Sequence, residues 1–143
     1  MITAENYRQT QIMTASPMEL IIMLYDEAIR SLATAEDAFK NDQPDRIPEI
    51  NNNLLKAQNI ITELTVSLDM EKGGAIATNL QRLYDFMSRH LSIANVSKSA
   101  RPIKEVREMM GELRDAWKEV AEKEPKSDHQ EEAVAQSNIS IEG

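Results

Sequence analysis

The stretch that decides the fold is Ser16-Pro17-Met18-Glu19-Leu20-Ile21-Ile22-Met23-Leu24-Tyr25-Asp26. Ser16 suits an N-cap, Pro17 the first helical position, and Glu19 the place where a capping box sets its carboxylate. Together they predict a helix start. The turns that follow are apolar almost all the way round, whereas a helix facing one core needs only an apolar stripe. Leu20 and Met23 fall outside that stripe and Leu24 lies on its flank. This helix therefore owes apolar surface to a second neighbour.

Outward from this stretch, apolar spacing predicts four helices. The first runs over roughly 17–41, with Met18, Ile21, Ile22, Tyr25, Ala28, Ile29, Leu32, Ala35 and Phe39 on one face. It ends at the breaker cluster Asn41-Asp42-Gln43-Pro44. Asp45 is the expected N-cap of the second, since Pro48 then falls in the tolerated first turn. Its stripe is Ile47, Ile50, Leu54, Ala57, Ile61, Leu64 and Leu68, and Lys72-Gly73-Gly74 marks the next turn. The third, about 75–96, is expected to bury Ile76, Leu80, Leu83, Met87, Leu91 and Ala94. Pro102 opens the fourth, whose stripe is Ile103, Val106, Met110, Leu113, Trp117 and Val120. Helices of comparable length with short links predict an all-α, antiparallel four-helix bundle over residues 16–123.

The two ends differ from this body. Residues 1–15 carry Tyr7, Ile12 and Met13 without a helical period, which allows either a strap docked on the bundle or a disordered arm. Residues 124–143 hold too little contiguous apolar surface to offset ordering entropy and predict a disordered acidic tail. A formal charge of −8 argues against nucleic acid and anionic membrane surfaces alike. The chain has no cysteine, hence neither disulfides nor thiolate metal sites. Met1 to Gln11 lacks the apolar run of a secretory signal, and no stretch approaches a membrane span. A cytoplasmic protein is expected.

Nothing in the pattern assembles a catalytic or metal centre. Neither His90 nor His129 has a glutamate three residues before it, as a di-metal bundle requires. Lys72-Gly73-Gly74 lacks the spacing and the Lys-Ser/Thr ending of a phosphate loop. The carboxylates are expected in solvated pairs, such as Glu105 with Lys104. What remains is surface. Helical wheels leave Leu20, Met23, Leu55, Ile60, Val66, Phe86, Ile93 and Met109 off the stripes, with His90 between Phe86 and Ile93. Single exposed apolar residues are ordinary, but aligned ones make patches that need covering. Eight methionines suit an adaptable contact surface. Asn51-Asn52-Asn53 reads as solvated helix surface, and Trp117 as core.

Three blocks are more specific. They are Thr14-Ala15-Ser16-Pro17-Met18-Glu19-Leu20-Ile21-Ile22-Met23-Leu24-Tyr25-Asp26; Ser67-Leu68-Asp69-Met70-Glu71-Lys72-Gly73-Gly74 with Asn79-Leu80 and Leu83-Tyr84-Asp85; and Leu113-Arg114-Asp115-Ala116-Trp117-Lys118. In this order and spacing, with Ala94-Asn95 and Tyr7, the chain resembles the flagellin-specific export chaperones of bacterial flagella, the FliS family, over about residues 5–121. The resemblance implies a non-enzymatic helical chaperone, without cofactor or metal. It implies binding to the disordered C-terminal segment of flagellin, protection from premature polymerisation, and delivery to the flagellar type III export apparatus. It extends to contacts with the export gate and a regulatory protein. It also implies an N-terminal segment lying over part of the empty client site, here Tyr7 to Met13. Wheel positions nominate Leu20, Met23, Leu24, Ile60, Phe86 and Ile93 as client-binding residues. The alternative from another class is a structural bundle whose surplus apolar surface closes a homodimer.

Overall fold

The computed structural model describes residues 17–41 and 44–123. They form four helices: α1 (Pro17–Phe39), α2 (Arg46–Val66), α3 (Met70–Ser97) and α4 (Arg101–Lys123). Each helix packs on its sequence neighbour, α4 closes the ring against α1, and the diagonal pairs barely meet. The short links alternate the helix directions, so the result is the antiparallel four-helix bundle that the periodicity predicts. Ser16, the strap with Tyr7, Ile12 and Met13, and the 124–143 tail lie outside the described residues.

The core follows the apolar stripes closely in α1 and α4. Tyr25, Ala28, Leu32 and Ala35 are fully enclosed on α1, as are Ile103, Val106 and Met110 on α4. Trp117 is buried, as expected, and its indole N–H donates to the Tyr25 hydroxyl at 3.2 Å. The Tyr25 hydroxyl also hydrogen-bonds that of Tyr84, so one buried polar chain links α4, α1 and α3. Burial disfavours both phenolates and pushes the Tyr25 and Tyr84 pKa values above the ordinary tyrosine range.

α2 and α3 depart from the sequence reading. Ile60, placed on the surface by the wheel, is 7% exposed and belongs to the core. α2 lies between α1 and α3, so its buried face widens to include Ala57, Ile60, Ile61 and Leu64. Ile47, assigned to the stripe, is exposed. On α3 the enclosed residues are Ala77, Tyr84, Met87, Leu91 and Ala94, whereas Ile76, Leu80 and Leu83 are only half-buried. The seven-residue spacing of 77, 84 and 91 marks that face. The Tyr84 hydroxyl can turn inward because it finds a partner there.

Two turns carry unusual backbone. The glycine pair expected between helices instead lies near the start of α3, where Gly74 adopts φ +55° and ψ −134° and kinks the helix after its first turn. Asp69 caps that turn, its carboxylate accepting from the N–H groups of Glu71 (3.1 Å) and Lys72 (2.9 Å). A Cβ at position 74 would meet nothing within 4 Å, so only the dihedral angles demand glycine. Gly74→Ala is expected to lower stability by about 1–3 kcal/mol, read as a shifted urea midpoint. An unchanged midpoint would show that the kink is dispensable. At the other end, Lys98 sits at φ +50°, and its ammonium donates to the side chains of Asn51 and Asn95. Asn51 is therefore a tie between α2 and the α3–α4 turn, not merely solvated surface.

Candidate functional site

The surplus apolar face of α1 opens onto a groove of about 740 Å³ between α1 and the C-terminal turns of α2. Leu20, Met23 and Leu24 line it from α1, and Thr62, Glu63, Val66 and Ser67 from α2. The three α1 side chains are half-buried, while Val66 stands 79% exposed at the edge. Antiparallel packing produces this arrangement. The inner stripe of α1 goes to the core, and the next ridge, at 20, 23 and 24, faces the gap beside α2.

Charged groups fix the groove's rim. Glu27 accepts from Lys56 at 2.8 Å and from Arg30 at 2.5 Å, bracing α1 against α2. Asp26 accepts from Arg114 at 3.1 Å, bracing α1 against α4. That hydrogen bond holds the Arg114 guanidinium above its ordinary pKa; the bond from Arg107 to Glu36 does the same further along the seam. Among the described residues the groove holds no cluster of metal ligands, and no helix is long and apolar enough to cross a membrane.

A second groove, about 420 Å³, lies between α2 and α3. It shares Thr62 and Val66 with the first, and Tyr84, Gln81, Arg82 and Asp85 line its other side. Polar ties cross the same seam higher up, where the Gln58 amide donates to the Ser88 carbonyl (2.9 Å) and the Ser92 hydroxyl (2.8 Å).

Phe86 and Ile93 lie elsewhere, on the outer side of α3. Phe86 is 44% exposed and stacks on His90, with ring centroids 4.9 Å apart. His90 in turn meets Glu105 of α4 at 3.2 Å. Glu105 is thus engaged across a helix seam, and not merely in a local pair with Lys104. The structure brings Leu20, Met23 and Leu24 together, leaves Phe86 and Ile93 on a separate patch, and withdraws Ile60 into the core. Sequence reasoning missed Val96, which is 87% exposed; an isolated valine near a helix end gives no periodic signal.

Comparison with known proteins agrees with this architecture. The family described as Flagellar protein FliS matches residues 1–124. The flagellar secretion chaperone FliS of Salmonella typhimurium is 41% identical over 124 residues, covering 86% of this chain and 87% of its own length. That of Bacillus subtilis is 35% identical over 129 residues, covering 90% and 93%. A crystal structure of a flagellar chaperone from bacteria superposes with a TM-score of 0.68 at 20% identity, over 85% of this chain and all of that one, which shows a shared fold. A relative this similar over nearly its whole length, together with a family match across the entire bundle, settles the membership: this chain belongs to the FliS family of flagellar secretion chaperones, which are not enzymes.

Proposed function

We propose that the chain is an export chaperone for flagellin, binding the disordered C-terminal segment of its client. Binding keeps that segment from polymerising early and presents it to the flagellar type III export apparatus. The observation that carries this reading is the apolar groove lined by Leu20, Met23 and Leu24, of which Leu20 and Met23 lie outside the core cluster and Leu24 packs at its edge. An amphipathic segment lays its apolar face into such a groove. Ordering a disordered segment costs about 2–5 kcal/mol of the gross interaction, so the contact must be long and apolar. Phe86 and Ile93 offer further apolar contact beyond the groove.

The test is titration with a flagellin C-terminal peptide, following affinity together with far-UV circular dichroism. Binding with a gain of helix is the expected result; no binding, or binding without added helix, refutes coupled folding. Met23→Asp is expected to weaken the peptide about tenfold or more, and Phe86→Asp by a smaller factor. Neither position belongs to the fully enclosed core, so unfolding free energies should fall by no more than about 1 kcal/mol from the parent. A steep fall in stability would instead make either residue part of the core. The exposed Phe86 and Ile93 also suit a self-association surface, and sedimentation over a concentration range decides that reading.

A further inference from the structure

We propose that Glu105 is a positioning residue for the Phe86 ring: acting through His90, it fixes that ring as a pre-ordered contact on the outer edge of α3. Phe86 and His90 stand four residues apart on one face of the helix. Their rings stack with 4.9 Å between centroids and 23° between planes. The imidazole is half-buried, whereas Phe86 is exposed. His90 thus covers one face of the phenyl ring and leaves the other to solvent.

A stacked pair at this spacing can form on any helix. What sets this one apart is its support from α4. The N–H at His90 Nε2 donates to Glu105 Oε1 at 3.2 Å across the α3–α4 seam. An ionised carboxylate only accepts, so it selects a ring protonated at Nε2 and fixes the plane of the imidazole. That plane in turn sets the plane of the phenyl ring stacked on it. The charged residues that flank Phe86 on α3 do not compete, because Asp85 and Arg89 pair with each other at 2.9 Å. Among the described residues Glu105 makes no ion pair other than that with His90.

The consequence for binding rests on the flagellin reading above. An exposed side chain loses rotamer freedom when a partner docks on it, and a ring already held has less to lose. Ile93 is exposed two helical turns further along α3, roughly 10 Å from Phe86 at the standard rise. A fixed ring and Ile93 together suit a client helix with apolar side chains at the same seven-residue interval. Releasing the ring is expected to weaken such a client about threefold.

Phe39 and Phe86 are the chain's two phenylalanines, so the full chain labelled with para-fluorophenylalanine gives two fluorine resonances. Phe39, which packs against the core, is the internal reference. Glu105→Ala and His90→Ala are expected to shift the Phe86 resonance, through loss of the ordered imidazole, and to leave Phe39 in place. Glu105→Gln, whose amide oxygen still accepts from Nε2, should keep the parent position. A Phe86 resonance that Glu105→Ala leaves unmoved, or that Glu105→Gln fails to preserve, overturns the proposal.

Unlabelled Glu105→Ala should bind the flagellin peptide about threefold more weakly, yet have no further effect in a Phe86→Ala background. A further loss in that background would mean that Glu105 acts elsewhere, and it overturns the positioning role. A shifted resonance with unchanged affinity overturns it too. If the resonances behave as expected while not even the parent binds the peptide, the flagellin reading fails and the hold on the ring stands.

Discussion

Stability is expected to fall steeply as pH rises past about 10, where an unfolded tyrosine begins to ionise. Tyr25 and Tyr84 are buried with their hydroxyls hydrogen-bonded to each other, and both pKa values are raised. The sign follows from proton counting. Above pH 10 the unfolded chain releases phenolic protons that the folded chain retains, so rising pH favours unfolding. The contribution is fully present below the unfolded pKa and is lost as pH climbs towards the folded one. Each such tyrosine lowers the unfolding free energy by about 1.4 kcal/mol per pH unit in that window. Tyr84, the more strongly raised of the two, would by itself remove about 3 kcal/mol over two units, and Tyr25 acts in the same direction, against the roughly 5–15 kcal/mol that holds a domain folded. Urea midpoints at pH 9, 10 and 11 measure the slope. Tyr84→Phe should reduce it substantially while costing about 1 kcal/mol at neutral pH for the lost hydrogen bond. An unchanged slope in that variant would locate the alkaline sensitivity elsewhere.

Trp117→Ala should be the most damaging of the substitutions considered. It removes a nearly enclosed indole from the α1–α4 seam and takes a donor from the Tyr25 hydroxyl. Truncating a buried aromatic to alanine costs about 3–5 kcal/mol, because the cavity left behind collapses only in part. In a domain of this size that lowers the unfolding temperature by roughly 10–20 °C. Trp117→Phe separates the two contributions. It keeps much of the packing but loses the indole N–H, and about 1–2 kcal/mol is expected for the hydrogen bond and the smaller ring. Thermal unfolding followed by far-UV circular dichroism ranks the three proteins. Equal loss in both variants would mean that the hydrogen bond outweighs the packing.

Helix number, order and most of the inner faces were legible from periodicity, because a soluble helix must turn its apolar stripe inward whatever its neighbours are. The groove was legible for the converse reason: Leu20 and Met23 were apolar where a single interface needs polarity. Legibility failed where a second neighbour or a distant partner decides the outcome. Ile60 is core only because α2 packs on both α1 and α3. Tyr84 turns inward only because Tyr25 waits 59 positions earlier in the chain. Pairs such as Arg107 with Glu36 and His90 with Glu105 cross helix seams, and local charge patterns cannot reveal them. Gly74 announced a break in the helix, but not that one capped turn would precede it.

The seam between α1 and α4 has a consequence for synthesis. Its polar ties join residues 71, 88 and 92 positions apart, through Arg107, Arg114 and Trp117 respectively. At roughly 5–20 residues per second, the ribosome needs roughly 5–20 s after making Tyr25 to reach Trp117. Through that interval the inner stripe of α1 lacks one of its two flanking helices. A protein of this chaperone family thus passes through a stage of exposed apolar surface each time it is made, and completing its last helix ends that exposure.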